Sequence, residues 1–334
     1  MRNLSITVHF AHTLLKNTVE KGVDPVALLR RNRISPRLLS EPSAMISVER
    51  YADLQVSTMQ ALEDEALGYY ERKLPLGSWS MMCHAVIGSE TLGQALSRYC
   101  RFFNLFDIGN SDLVLEVEQD CANFVVQQEI QQALDNPFMT EIALFNCHRF
   151  ASWLCRAHLP LISVDLQHAP HARLVDYRHM FQGAQVQFNQ ARSQLKLHLT
   201  TLDKPVVQNE PALRRFLRHP VLAMLTQDYS ANSWTYQVKE ALRRDLANMP
   251  ELQGLASLLE IHPQTLRRRL SDENTSFKEI KQQLRRDTAL HYLGKQGLSI
   301  EEIAYRAGFS ESSAFIRAFK GWTGVTPYTY RKGL

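Results

Sequence analysis

The chain holds 334 residues, 45% of them hydrophobic and 22% charged, with a formal net charge of +4 and a mean hydropathy of −0.26. That length suits two domains, each able to bury a core, and the composition is that of ordinary globular protein. No apolar run approaches the roughly 18 residues a membrane span needs; the greasiest stretch, 138–162, is broken by Glu141, His148, Arg149, Arg156 and His158.

The first residues, MRNLSITVHFAHTLLKN, carry two histidines in their apolar part and no small-residue cleavage site, so they do not read as a signal peptide. Asp24-Pro25 and Ser35-Pro36 each set a capping residue before a proline at a first helical position. Ser47 opens a helix to about Leu62, and Thr91 another to Phe106, with Leu92, Leu96, Tyr99, Cys100 and Phe103 on one face. The period then changes. Residues 112–118 alternate through Leu113, Leu115 and Val117, residues 122–129 are rich in strand formers, and Asp120-Cys121 between them predicts a hairpin. Asn136-Pro137 starts a long apolar helix to about Ala157. Strands are expected at 161–166, 186–188 and 195–199, and a helix at 172–181. This is a mixed α+β body, ending near Leu202–Asn209, with one connecting helix expected over 212–229.

The positive charge sits at the far end. Residues 236–334 contain 16 Lys and Arg against 11 Asp and Glu, a basic module on a near-neutral body, which points to a polyanion partner. The same region repeats itself. LASLLEIHPQTLRRRL at 255–270 and IAYRAGFSESSAFIRAF at 303–319 each read as a short helix with an interior Ala, a turn, and a second helix. Ala256 matches Ala304, and Leu266, Arg268 and Leu270 match Phe315, Arg317 and Phe319. That is the helix-turn-helix pattern, expected over about 252–272 and 299–320. Gly308 falls where the turn needs a positive φ.

The two second helices are amphipathic. In the later copy Ala314, Phe315, Ala318, Phe319 and Trp322 share an apolar face, leaving Ser312, Ser313, Ile316, Arg317 and Lys320 on the other. In the earlier copy Leu266 and Leu270 point inward, while Gln264, Arg267, Arg268 and Ser271 point outward. Arg reads guanine, Gln reads adenine and Ser adapts to either in a major groove. A run such as Arg267-Arg268-Arg269 is often only a solvated face, but two copies presenting polar faces at one place argue for a surface that reads DNA. Ile316 is either a stray apolar residue or a contact to a thymine methyl. Between the copies, Ser276–Leu293 reads as one helix of about 27 Å, against about 34 Å between adjacent major-groove entries. One chain is thereby expected to fill two successive grooves of double-stranded DNA.

The string LSIEEIAYRAGFSESSAFIRAFKGWTGVTPYTYR at 298–331, together with RRRL and SFKEI in the first half, resembles the AraC/XylS family of bacterial transcription regulators. The resemblance implies an all-α C-terminal domain, 236–334, with two helix-turn-helix subdomains joined by a long helix. It places base reading on Gln264, Arg267, Arg268, Ser312, Ser313, Ile316 and Arg317. Three residues depart from the family's habit: Asn274 for a glycine, Arg269 for an apolar residue, Ile316 for Ser or Thr. PLGSWSMMCHAVIGSETLGQALSRYCRFFNLF at 75–106 resembles the OruR-like branch, with an arabinose-binding-type effector domain. This implies an effector-binding or dimerisation domain over 1–205 and a linker helix region over 206–235. The implied partners are double-stranded DNA, RNA polymerase, a homodimer mate and a small-molecule effector (an amino acid, carboxylate or lipid-like metabolite). The implied role is a cytoplasmic activator, not an enzyme, with no cofactor and no metal.

Other chemistry reads weakly. The five cysteines (83, 100, 121, 147 and 155) form no CxxC and fit a reducing compartment. Cys147, His148, Cys155 and His158 read as core thiols and surface histidines rather than ligands. His168 and His171 flank Pro170 in a loop that is a minor candidate for ligand or metal. Trp79 and Met82 with Arg98 are weak candidates for an effector pocket, against a core Trp with a surface Arg. Two further readings stand beside the regulator: an N-terminal body that only dimerises, with constitutive DNA binding, and a metabolic enzyme. The second would need a convergent nucleophile and base, for which the sequence has no motif.

Overall fold

The computed structural model describes residues 4–41, 44–106, 111–227, 229, 233–273, 275–295 and 297–332. In chain order the elements are β1 (Ser5–Thr7), α1 (Val8–Leu15), α2 (Pro25–Arg31), β2 (Met45–Ser47), α3 (Val48–Leu62), α4 (Ser78–Val86), α5 (Leu92–Phe103), β3 (Asp112–Val117), β4 (Cys121–Gln127), α6 (Ile130–Asp135), α7 (Pro137–Cys155), β5 (Leu161–Asp165), α8 (Leu174–Met180), β6 (Val186–Gln187) and β7 (Ser193–His198). There follow α9 (Glu210–Phe216), α10 (Pro220–Thr226), α11 (Trp234–Arg243), α12 (Leu252–Leu258), α13 (Pro263–Asp272), α14 (Phe277–Leu293), α15 (Ile300–Arg306), α16 (Ser312–Thr323) and α17 (Pro327–Lys332). Among the described residues no helix is long and apolar enough to cross a membrane.

These elements form two compact units, each discontinuous in sequence. One gathers the described residues of Thr13–Val23 and Gln55–Tyr229. It is built on a five-stranded sheet of order β3-β4-β7-β5-β6, antiparallel except for β5 beside β6. The expected hairpin is present, Leu113 facing Val126 and Leu115 facing Phe124. β3 lies at the sheet edge and is half exposed. β4 lies inside and buries every residue from Cys121 to Val126, because both its faces are covered. α4, α5 and α7 supply the core: Met82, Leu96, Tyr99, Phe150 and Leu154 pack with Phe124, Val164 and Leu195 of the sheet. α7 is buried nearly all round, as expected of a helix apolar on every side. It nevertheless carries Glu141, His148 and Arg149 inside. His148, expected at the surface, is 2% exposed; its Nε2 lies 2.8 Å from the Leu159 carbonyl oxygen, and burial pushes its pKa down to about 3, so the ring is neutral.

The other unit gathers the described residues of Met1–His12, Asp24–Leu54 and Ser230–Leu334. Among the described residues, α11 to α17 make up its C-terminal part. β1 and β2 pair antiparallel, Ile6 opposite Ile46, and lie against α14. The Ser5 hydroxyl donates to Asp287 Oδ1 at 2.5 Å and accepts from Arg286 Nε at 3.0 Å. The Arg50 guanidinium, at the start of α3, stands 5.8 Å from the Tyr330 ring centroid.

Two local expectations need correction. Ser35-Pro36 opens a short 3-10 turn, Pro36–Ser40, without a side-chain cap, whereas Asp24 does cap α2 by accepting from Val26 N at 2.8 Å. The single connecting helix expected over 212–229 is two helices, α9 and α10. Pro220 cannot donate a backbone N–H and forbids helical geometry to His219, so it ends one helix and starts the next. Residues 228 and 230–232 of the expected linker, and Asn274, lie outside the described residues.

Candidate nucleic-acid interface

The first helix-turn-helix, α12 and α13, is preceded by α11, whose free N–H groups are capped twice. Ser233 accepts from Tyr236 N at 3.0 Å, and the Glu273 carboxylate accepts from Trp234 N and Thr235 N at 2.8 Å each. Val238 and Leu242 of α11, Leu255 and Ala256 of α12, and Leu266 and Leu270 of α13 close one core with Ile280 and Leu284 of α14. Pro263 starts α13 and His262 precedes it, its Nδ1 accepting from Gln264 N at 3.2 Å. With Leu266 and Leu270 held inward, Gln264, Arg267, Arg268 and Ser271 are exposed. Arg267 Nη1 donates to Gln264 Oε1 at 3.4 Å, so these two side chains share one face. The three arginines do not act alike: Arg269 stands over the Trp234 ring at 5.7 Å.

The second motif is built the same way. Ser299 and Glu302 form a reciprocal capping box at the start of α15. Gly308 makes the turn at φ 79°. Phe315, Phe319 and Trp322 of α16 are buried, Phe315 meeting Phe309 at 5.5 Å and Phe319 meeting Tyr330 at 5.4 Å. Ala314 and Ala318 are only half buried, at the edges of that face. Ser313, Arg317 and Lys320 are exposed, while Ser312 and Ile316 are half buried. Ile316 is therefore not a wholly exposed apolar residue; part of it belongs to the packing beneath α16. Ser313 Oγ donates to Glu311 Oε2 at 3.2 Å.

Between the motifs α14 runs for 17 residues, about 26 Å. Ser276 caps it by accepting from Glu279 N at 3.2 Å. Both polar faces thus belong to one unit and flank one continuous helix. Sequence reasoning missed the residues that hold this frame: Glu273 as a cap, and Glu260, which takes a φ of 55° at the turn position that Gly308 occupies in the second copy. A non-glycine residue in that conformation leaves no signature in the sequence.

In the α+β unit the weak effector candidates separate. Met82 is fully buried, Trp79 is half buried against Tyr99, Phe103 and Phe150, and Arg98 is exposed. The Trp79 Nε1–H is buried with no acceptor among the described residues. His168 and His171 meet a partner that sequence reasoning passed over as a break in an apolar stretch: the Glu141 carboxylate lies 3.4 Å from His168 Nε2 and 3.3 Å from His171 Nε2. Burial pushes Glu141 up to about 8, and pushes His168 down, so the carboxyl is mostly protonated at neutral pH. His168 Nδ1 faces the Ala169 carbonyl at 2.8 Å. Among the described residues no group of three or more His, Cys, Asp or Glu side chains is placed to hold a metal ion. All five cysteines are free and buried.

Comparison with known proteins addresses both parts of the chain. The family described as the arabinose-binding domain of AraC transcription regulators matches residues 22–206, and a helix-turn-helix domain family matches residues 255–333. The chain is similar to the ornithine utilization regulator of Pseudomonas aeruginosa, 26% identical over 98% of this chain and 96% of that protein. It is also similar to the transcriptional activator CfaD of Escherichia coli, 35% identical over 31% of this chain and 40% of that protein. Among solved structures, the transcriptional regulator CdpR of Pseudomonas aeruginosa aligns with a TM-score of 0.34 at 21% identity, over 92% of this chain and 96% of that one.

Proposed function

The chain belongs to the AraC/XylS family of transcription regulators and is a sequence-specific DNA-binding regulator; on that premise we propose that α13 and α16 enter two successive major grooves of one duplex. Gln264, Arg267 and Arg268 read the first box. Ser312, Ser313, Ile316, Arg317 and Lys320 contact the second. The observation that carries this reading is the repeated polar face on either side of the 17-residue α14, within one compact unit. Groove entries on one face of the duplex lie about 34 Å apart, against about 26 Å for the spacer helix alone.

The effector-binding role is placed on residues 1–205, with an amino acid, a carboxylate or a lipid-like metabolite as ligand. Binding shifts the population toward a state suited to paired DNA sites, through the linker region or a homodimer, and the bound protein activates by contacting RNA polymerase. Of the three weak candidates for the pocket, Trp79 is favoured by its buried indole N–H without an acceptor. The name of the 26% identical relative puts ornithine first among the amino acids to screen.

The test is footprinting on duplexes selected from a random pool, followed by Arg268→Ala. That variant is expected to weaken specific binding by about 1–3 kcal/mol and non-specific binding much less. Equal losses on both would make Arg268 a phosphate contact, and protection of a single box would defeat the two-groove reading. A thermal-shift screen of the full chain addresses the effector: a ligand that binds the folded state raises the melting temperature, and silence across all classes favours a body that only dimerises. The full chain is needed because residues 1–12 and 24–54 pack with the helical unit.

A further inference from the structure

The turn of the second helix-turn-helix is seated against both the spacer and the segment that leads into the first motif. A Cβ on Gly308 would lie 2.5 Å from the Leu246 carbonyl oxygen, 3.4 Å from Met249 Cε and 3.5 Å from Arg285 Nε. Leu246 and Met249 belong to the segment that leads from α11 into α12, the first helix of the first motif; Arg285 belongs to α14. Arg285 Nη2 donates to the Gly308 carbonyl oxygen at 2.7 Å, and its guanidinium stands 4.8 Å from the Phe309 ring centroid. Phe309 in turn meets Phe315 at 5.5 Å and Trp322 at 6.0 Å, both on α16. One helical turn before Arg285, Lys281 Nζ donates to Glu251 Oε1 at 2.8 Å, at the start of α12. Residues four apart share a helix face. One face of the spacer therefore grips the first motif through Lys281 and the second through Arg285.

We propose that Arg285 is a positioning residue: through the Gly308 carbonyl and the Phe309 ring it fixes the rotation of α16 relative to α13, and so sets the spacing that the protein accepts between its two recognition boxes. Helix length alone fixes only how far apart the motifs lie. Each added base pair also rotates the second box about the duplex axis, by roughly a tenth of a turn, so discrimination between spacings needs a fixed angle as well. Arginine suits the task because its planar fork donates to the carbonyl while its face stacks on the ring. A lysine here keeps a donor and loses the stack.

The inference rests on the two-groove reading, and the experiment separates the two. Full-length protein is titrated, at one salt concentration, onto a duplex selected from a random pool by the wild-type chain. Companion duplexes have one box scrambled, or one or two base pairs inserted or removed between the boxes. Wild type is expected to prefer the selected spacing. Arg285→Ala is expected to lose about tenfold on the selected duplex, because a loosely held second module contributes less effective concentration. It should lose less than about twofold on the single-box duplex, and its preference among spacings should flatten. Arg285→Lys is expected to fall between the two, which guards against a variant that merely folds poorly; circular dichroism melts of both accompany the titration. An unchanged spacing profile in Arg285→Ala would overturn the proposal. So would an equal loss on single-box and two-box duplexes, which would make Arg285 a phosphate contact or a general prop. A wild-type footprint covering one box would overturn the two-groove reading itself.

Discussion

The repeated turn shows how one backbone requirement is met by two residues of different legibility. Gly308 announces itself in the sequence, and its φ of 79° is the conformation expected there. Glu260 stands at the same point of the first copy with a φ of 55° and gives no sign of it. A left-handed conformation costs an ordinary L-residue about 1–2 kcal/mol, and at Glu260, which is exposed, no packing clash adds to that cost. The two positions therefore predict opposite outcomes. Gly308→Ala is expected to destabilise the protein by at least about 2 kcal/mol, since left-handed strain adds to a Cβ driven to 2.5 Å from a backbone oxygen that no side-chain rotation can move. Glu260→Gly is expected to stabilise by up to about 1 kcal/mol, the relief of strain being partly offset by the greater freedom of glycine in the unfolded chain. Urea unfolding of the two variants checks the signs, and a matching loss in both would show that the first turn depends on the Glu260 side chain.

At the scale of elements, the helices of the DNA-binding part were legible and the strands beside them were not. α13, α14 and α16 carry the helical period over ten residues or more, with Pro263, Ser276 and Gly324 marking their ends. β1 and β2 have three residues each, too few for any period, and their register depends on a partner some forty residues away. Their contact with α14 was equally invisible, because it joins Ser5 to Asp287 across the length of the chain. That contact has a measurable consequence. Asp287 is 1% exposed, and burial raises its pKa from 3.8 to about 6 against the opposing pull of Arg286, Ser5, Lys239 and Arg243. A carboxyl whose folded value is raised binds its proton more tightly in the folded state. Its contribution to stability is therefore best below about pH 4 and is lost as pH rises toward 6, then stays constant. Asp287→Asn keeps an acceptor for the Ser5 hydroxyl and removes the ionisation. Relative to wild type the variant is expected to gain stability between pH 4 and 6, by at most about 3 kcal/mol at the plateau. Denaturant midpoints across that range test it. A wild type that instead gains on the variant with rising pH would mean that the ion pair with Arg286 outweighs burial.

Over the whole molecule, the sequence reads as a sensor body followed by a DNA-binding module, and both matched families follow that order. The packing does not: residues 1–12 and 24–54 belong to the compact unit that holds α11 to α17. Sequence reasoning has no access to this, since composition and period report on neighbours along the chain and not on which distant segments share a core. The consequence is that a fragment such as 233–334 should keep its helices and lose part of its support. In the fragment Asp287 and Arg286 lose the Ser5 hydroxyl, and Tyr330 loses the Arg50 guanidinium above its ring. Restoring water to the exposed carboxylate offsets some of that loss, and the removed hydrogen bonds and apolar cover leave a net deficit of about 1–3 kcal/mol. Amide hydrogen exchange reads the difference where it belongs, because protection of a core helix reports the free energy of opening it. Peptides covering Phe277–Leu293 are expected to exchange faster in the fragment than in the full chain, and peptides covering α12 and α13, which pack in the helical core, are expected to change less. Equal protection of Phe277–Leu293 in fragment and full chain would show that the β1 and β2 segment adds nothing to the spacer, and that the DNA-binding module stands on α11 to α17 alone.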